Sequence, residues 1–180
     1  PVAMFASDNN GVIVKLPAVG LSPPSTLSGT LVFGVNTQSN NALGSASVFQ
    51  MDGLGQFTTV FDGTPMYNSY IDSGSNGLYF PNLTNINTCS DGFYCPGSEV
   101  LLSAVMQGAQ NKVSGQSNTQ TIQFSIGYAD SVSGSVSVDF GAPGGTGTFD
   151  WGLPFFFGRN VYVVQDTKSA AGQQGPFVAF

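Results

Sequence analysis

The residues with the clearest potential for chemistry lie at 70–81, where one acid, Asp72, follows the end of an apolar run. Three small residues come next, Ser73, Gly74 and Ser75, and a second apolar run then begins. A carboxylate that acts as a general acid or base must be held rigidly and shielded from water. Glycine permits the tight turn and serine adds short hydroxyl donors. We therefore predict that Asp72 is catalytic and that the three residues after it form its supporting loop.

The same pattern also fits an ordinary turn at the end of a strand, because Asp and Gly both favour turns. The apolar runs on both sides of residues 72–77 favour the catalytic interpretation. When two carboxylates activate water for peptide hydrolysis without a metal, they lie about 3 Å apart and share one proton. This sequence contains one such motif. The second carboxylate would have to come from another lobe or from a copy of the chain.

The composition is typical of a secreted or cell-surface β-protein. Of the 180 residues, 41% are hydrophobic and 24 are Gly, and only 8% are charged, against about 25% in an average globular protein. A net charge of −6 argues against nucleic-acid binding. No apolar run approaches the ~20 residues of a membrane span. The chain has no His, which excludes a Ser-His-Asp triad and most zinc or iron sites, so we predict no metal and no cofactor.

The two cysteines, Cys89 and Cys95, flank an Asp-Gly turn that can bring their sulfurs together. We predict a local disulfide between them. A disulfide implies an oxidising compartment, either periplasmic or extracellular.

Regularly spaced strand signals separated by Gly and Asn turns predict an all-β fold, a closed barrel or sandwich with at most one or two short helices. We expect one domain over residues 1–180. Strands are predicted at Gly29–Val35, Ala46–Met51, Thr121–Tyr128, Gly134–Phe140, Trp151–Phe157, Asn160–Gln165 and Pro176–Phe180.

Two hairpins and one helix complete the predicted elements. Asn10-Gly11 is a turn signal that would pair Val2–Phe5 with Val12–Leu16. The segment from Asp62 to Pro65 would pair Thr58–Phe61 with Met66–Ile71 and lead the chain directly into Asp72. The best candidate for a short helix is residues 98–107.

Over nearly the whole chain, the order of these pieces resembles the C-terminal lobe of a pepsin-like aspartic peptidase. The resemblance rests on Gly29–Gly34, Phe57–Ser75, Ile122–Gly127 and Trp151–Asp166. In such a lobe the paired strands deliver one catalytic Asp, and the later Gly-containing apolar segment lies behind the active loop. The resemblance therefore implies that Asp72 is the catalytic residue, and that Ser73, Gly74 and Ser75 support it.

The chain is more closely similar to the C-terminal half of a bacterial family of secreted proteins described as a domain of unknown function. The matching segments are Pro1–Val12, Gln38–Ala46, Ile71–Pro81, Phe149–Arg159 and Gly175–Phe180. In that family a preceding half carries its own Asp-Thr-Gly-Ser motif. The resemblance implies that a second lobe supplies the partner carboxylate.

Two functions are compatible with these residues. The first is half of an acid endopeptidase, in which Asp72 shares a proton with a second Asp and a water attacks the peptide bond. The second is a non-catalytic secreted β-domain with a binding or self-assembling surface. An exposed Phe155–Phe157 run would favour the second function, although a run of this kind is more often part of a core.

The remaining acids suggest weaker alternatives. Asp130, Asp139 and Asp150 could together bind calcium, but their spacing matches no known calcium loop. They are more simply explained as loop and edge residues in contact with water. A further alternative pairs Asp150 with Arg159, one of only four basic residues.

Overall fold

The computed structural model describes residues 1–20, 23–109, 118–131 and 136–180. The fold is all-β, as predicted from the sequence. In the described residues the only helices are 3-10 helices of three or four residues, at Val2–Met4, Ser39–Asn41, Ala129–Ser131 and Leu153–Phe156.

Strands make up the rest of the regular structure. In chain order the described residues form β1 (Gly11–Lys15), β2 (Thr30–Phe33), β3 (Val48–Gln50), β4 (Phe57–Phe61), β5 (Thr64–Ile71), β6 (Leu78–Phe80), β7 (Val100–Gln107), β8 (Thr119–Ile126), β9 (Gly141–Pro143), β10 (Asp150–Trp151), β11 (Asn160–Val164), β12 (Ser169–Ala170), β13 (Gln173–Gln174) and β14 (Phe177–Ala179).

These strands form two larger sheets and one short ribbon. The first sheet has the order β2-β1-β11-β14-β3, and all its pairs are antiparallel. The second has the order β8-β7-β4-β5-β10-β6-β9. Its two parallel pairs are β5 with β10 and β6 with β9. The ribbon consists of β12 and β13.

A core rich in aromatic side chains joins the two sheets. Phe49 and Val178 of the first sheet belong to the same buried cluster as Phe61, Phe80 and Trp151 of the second. Burying large apolar and aromatic side chains is the main favourable contribution to folding, so this cluster fixes how the sheets pack.

Trp151 is a central member of this core and anchors β10. Its ring stacks on Phe149 with centroids 4.1 Å apart, and its indole N–H donates to the Thr59 hydroxyl at 3.0 Å. The run Phe155–Phe157 is also buried, which confirms its assignment to the core. Most of this run lies in the 3-10 helix Leu153–Phe156, whereas the sequence predicts a strand through residue 157.

The hairpin that leads into the candidate site is confirmed. β4 and β5 pair across a two-residue turn, with Phe61 opposite Thr64. Asp62 and Gly63 both have a positive φ, 47° and 72°. Left-handed residues at both turn positions match the right-handed twist of the flanking strands, and Asp and Gly tolerate that conformation best.

Three further predicted elements differ in the structure. The segment 98–107, predicted to be a short helix, forms strand β7 over residues 100–107. It pairs along the whole length of β7 with β8 and also with β4, and these sheet contacts override its weak helical preference. Val2–Met4 is a 3-10 helix, and β1 pairs with β2 and β11 instead. Residues 136–140 form no strand, because Ser137 and Asp139 bond to each other locally; Gly134 and Ser135 lie outside the described residues.

Candidate functional site

The loop 72–77 connects β5 to β6 over the end of β10, which lies between those two strands. β10 runs parallel to β5, with Asp150 beside Tyr70 and Trp151 beside Ile71. It runs antiparallel to β6. A strand inserted between the two arms of the loop holds both arms at fixed positions, so the loop is supported from beneath.

Backbone hydrogen bonds attach the loop to the segment that passes under it. The N–H of Asp72 donates to the carbonyl of Trp151 at 3.0 Å. The N–H of Leu153 donates to the carbonyl of Ser75 at 2.7 Å. The position of the Asp72 backbone therefore depends on residues almost eighty positions later in the chain.

Gly152 is the point of closest approach between the loop and this segment. A Cβ atom at Gly152 would lie 1.9 Å from the carbonyl oxygen of Gly77 and 2.9 Å from that of Ser75. The φ of Gly152 is −70°, which any residue can adopt, so glycine is needed for space rather than for conformation.

The carboxylate of Asp72 is half-buried and held by its own loop. The N–H of Gly74 donates to Oδ1 at 2.7 Å, and the Ser75 hydroxyl lies 3.0 Å from Oδ2. The structure thus brings Gly74 and Ser75 into contact with Asp72. Ser73 is exposed and lines the groove beside the acid.

Asp150 lies behind this loop as a second carboxyl group. The Ser75 hydroxyl oxygen is 2.8 Å from Asp150 Oδ2, so one serine contacts both acids. Asp150 is only 6% exposed, and its Oδ1 has no hydrogen-bond partner among the described residues. The sequence contained a signal for this burial, because Asp150 stands between the aromatic residues Phe149 and Trp151.

None of the three interpretations of Asp150 from sequence agrees with the structure: in the described residues it forms no calcium site with Asp130 and Asp139, it does not pair with Arg159, and it is buried rather than in contact with water. The guanidinium of Arg159 donates to the Phe155 carbonyl and lies over the Phe155 ring, where desolvated aromatic packing holds it. Asp139 accepts a hydrogen bond from Ser137, and Asp130 lies beside the cysteines. The chain folds these acids into separate local contacts, so they form no shared calcium site in the described residues.

Burial changes the acidity of Asp150. Loss of solvent raises its pKa from 3.8 to about 6; the nearby charge of Asp72 adds to this, and the hydrogen bond from Ser75 opposes it. The pKa values of Tyr70 and Tyr79 are also raised, first by burial and then by the charge of Asp150. The site therefore favours a neutral Asp150 in mildly acidic solution.

This shift predicts a stability that depends on pH. The folded protein holds the Asp150 proton more tightly than the unfolded chain does. The stability that this proton adds to the fold is therefore fully present below about pH 3.8 and is lost as the pH rises through about 6. The loss corresponds to about 3 kcal/mol in the free energy of unfolding.

Asp150→Asn should remove that loss, because the amide stays neutral and can donate to Ser75. Urea unfolding from about pH 3 to about pH 7.5 should show the variant gaining about 3 kcal/mol over the wild type across this range. Asp62→Asn, in an exposed turn, is the matched control and should follow the wild type. Parallel curves for the wild type and Asp150→Asn would contradict the prediction.

An open groove of about 480 Å³ runs beside Asp72. Its walls come from both large sheets and are mostly apolar. The lining residues are Val12, Val14, Met51, Leu54, Gly55, Tyr70, Ile71, Asp72, Ser73, Phe156 and Val163. Among the described residues of this lining Asp72 is the only acid, so a molecule in the groove would meet its carboxylate on an apolar surface.

Cys89 and Cys95 form the predicted disulfide, with Cα atoms 5.3 Å apart. The bridge closes a loop that is also held by pairing between Thr88 and Tyr94. Asp130 lies close to both sulfurs, but disulfide sulfurs are not thiolates and make no metal site with it. In the described part of the chain no helix has the length and hydropathy needed to cross a bilayer.

Comparison with known families gives one result for the whole chain. A family model described as "Protein of unknown function (DUF3443)" matches residues 1–180. No curated protein matches the chain.

Proposed function

We propose that this chain, which belongs to the DUF3443 family, is an aspartic-peptidase-like lobe. In this proposal Asp72 is one carboxylate of a catalytic pair. The second carboxylate comes from another lobe with an Asp-Ser/Thr-Gly motif or from a second copy of the chain. The substrate is a peptide, and the product carries a new carboxyl and a new amino terminus.

One observation carries the proposal: Asp72 is held at the edge of an apolar groove by a loop fixed from beneath. Its Oδ1 accepts the Gly74 N–H at 2.7 Å, which orients the carboxylate without a cation. The groove walls, which include Val12, Ile71 and Phe156, could take the apolar side chains of an extended peptide. A fixed, half-buried acid beside an apolar groove has the properties required of a general acid or base.

The strand arrangement also supports the proposal. The resemblance to a pepsin-like lobe implied that the Gly-containing segment after Phe149 lies behind the active loop. β10 and Gly152 do lie beneath loop 72–77, where Leu153 bonds to Ser75. This placement is independent of the Asp-Ser-Gly-Ser motif itself.

The mechanism requires both carboxylates of the pair. One is protonated and the other ionised, because two carboxylates about 3 Å apart cannot both be charged. The ionised group takes a proton from a bound water while the water oxygen attacks the peptide carbonyl carbon. The protonated group donates to the carbonyl oxygen, and the C–N bond then breaks as the nitrogen receives a proton. No covalent bond to the protein forms.

Because the mechanism needs two carboxylates that reach the substrate, a single chain lacks a complete catalytic pair. Ser75 links Asp150 to Asp72, but Asp150 is buried behind the loop and cannot reach a substrate. A partner lobe must therefore face the groove across Asp72. We also propose that the protein acts outside the cytoplasm, since the Cys89–Cys95 bridge and the low content of charged residues suit an oxidising compartment.

The test compares the single chain with the paired protein. Gel filtration separates the 18.7 kDa chain from its dimer or from a complex with a second motif-bearing lobe, and light scattering identifies each fraction by its mass. Each fraction is then incubated with an unfolded protein from about pH 3 to about pH 7, and products are identified by mass spectrometry. In water labelled with heavy oxygen, each new carboxyl terminus should carry one labelled oxygen.

Cleavage is expected from the paired fraction and not from the single chain. Cleavage by the single chain would overturn the pairing requirement. Absence of cleavage by a verified pair at every pH would overturn the peptidase proposal.

A second function is supported by a different surface. Met4, Phe5, Leu31 and Phe33 are all exposed, and the rings of Phe5 and Phe33 meet edge to face 5.0 Å apart. They lie at the edge strand β2 and at the short helix before β1. An exposed apolar patch on a sheet edge suits a non-catalytic binding or self-assembling role. In that case a verified pair would form without any cleavage.

A further inference from the structure

Ser75 makes two contacts that its single hydroxyl proton cannot serve together. Its oxygen lies 3.0 Å from Asp72 Oδ2 and 2.8 Å from Asp150 Oδ2. A serine hydroxyl donates one hydrogen bond and accepts up to two. If both acids were ionised, one of the two short contacts would place lone pairs against lone pairs. Both contacts are favourable only when one of the acids carries a proton and donates it to Ser75.

The surroundings of the two acids identify which one is protonated. Asp72 is half-buried, and its Oδ1 already accepts the Gly74 N–H, so its charge is stabilised. Asp150 is 6% exposed, and its Oδ1 has no partner in the described residues. A buried carboxylate with an unsatisfied oxygen is costly, whereas a neutral carboxylic acid at that place is not.

No described cation compensates Asp150. The titratable groups facing it from the neighbouring strands and loop are Tyr70 on β5, Tyr79 on β6 and Asp72. Among the basic residues that the structure describes, each bonds elsewhere: Lys15 to the Asn40 carbonyl, Lys168 to Asn9, and Arg159 to the Phe155 carbonyl. Burial raises the pKa of Asp150 to about 6, in agreement with this geometry.

We propose that Asp150, Ser75 and Asp72 form one proton-sharing chain, in which the carboxylic acid of Asp150 donates to Ser75 and Ser75 donates to the carboxylate of Asp72. Asp150 is a positioning residue that touches no substrate. While it is protonated, the Ser75 proton is directed at Asp72 and holds that carboxylate. When Asp150 ionises, both acids compete for the one hydroxyl proton, and Asp72 loses this hydrogen bond for part of the time.

The chain of hydrogen bonds is therefore a device that ties the orientation of Asp72 to the protonation of a buried acid. It lies within a single chain and needs no partner lobe. It does not rest on the proposed peptidase activity, since any role of Asp72 that needs a fixed carboxylate would depend on it.

The test is a carboxyl NMR titration of the folded protein labelled at aspartate, from about pH 3 to about pH 8. In the wild type the Asp150 signal should titrate at about 6, and the Asp72 signal should show an inflection at the same pH. Asp150→Asn should abolish that inflection in the Asp72 signal. Ser75→Ala should reduce its amplitude sharply, because only the through-space effect of the charge remains.

Asp72→Asn provides a second variant at a half-buried position, in case Asp150→Asn does not fold. It should lower the midpoint of the Asp150 titration, because the neighbouring negative charge is lost. Asp62→Asn should change neither signal. The proposal is overturned if the midpoint of the Asp150 titration lies below about pH 5, as for an exposed carboxylate. It is also overturned if the Asp72 signal shows no change at the pH where Asp150 ionises. The readout requires no cleavage, so it can succeed or fail independently of the peptidase assay.

Discussion

Asp72→Asn is expected to reduce acid-pH peptide cleavage by the paired protein about 10³-fold or more while leaving the fold intact. An amide can neither take a proton from water nor donate one as a carboxylic acid does, so the shared proton of the pair is lost. The fold should survive because Asp72 is only half-buried, and an Asn oxygen can still accept the Gly74 N–H.

The measurement is the initial rate of cleavage of an unfolded protein, together with circular dichroism of the same sample. Asp62→Asn is the matched control, because Asp62 is an exposed turn residue at a φ of 47° that Asn also adopts readily. It should cleave at the wild-type rate. Equal rates for Asp72→Asn and the wild type would rule out Asp72 as a catalytic residue.

Gly152→Ala is expected to destabilise the fold by about 4 kcal/mol, at the upper end of what single substitutions do. Its new methyl group would stand 1.9 Å from the Gly77 carbonyl oxygen, and that oxygen belongs to the backbone of a buried residue. Neither atom can move far, since Trp151 on one side is packed in the core and Leu153 on the other is bonded to the Ser75 carbonyl.

Urea unfolding at a fixed pH measures this loss, with Gly53→Ala as the control. A Cβ at Gly53 would meet no atom within 4 Å, so this variant should stay close to the wild type. If Gly152→Ala unfolds like Gly53→Ala, loop 72–77 is not held against the segment beneath it. The catalytic proposal would then lose its rigid carboxylate.

The local sequence around Asp150 indicates its burial but not its hydrogen-bond partner. The aromatic residues Phe149 and Trp151 on either side of this acid favour its burial, yet its charge first suggests a calcium ligand, an ion pair or an edge residue in contact with water. Its real neighbour is Ser75, which stands 75 positions earlier in the chain. No spacing rule connects the two residues, because they meet only through the insertion of β10 between β5 and β6.

The sequence by itself determined the features that depend on near neighbours. The Asp62-Gly63 turn, the Cys89–Cys95 bridge and the hold of Gly74 and Ser75 on Asp72 all join residues within a few positions of each other. The allowed conformations and short hydrogen bonds of such segments are properties of the residues themselves. The all-β class follows in the same way from the repeated strand and turn signals.

Only the tertiary structure decided the features that depend on which strands pair. Residues 100–107 became a strand because β4 and β8 lie on either side of them, and the groove exists because β1 and β11 face β5. The need for glycine at 152 and the neutral Asp150 have the same origin. Long-range pairing selects one register among many that the residues allow locally, and burial in that register sets the space and the polarity around each side chain.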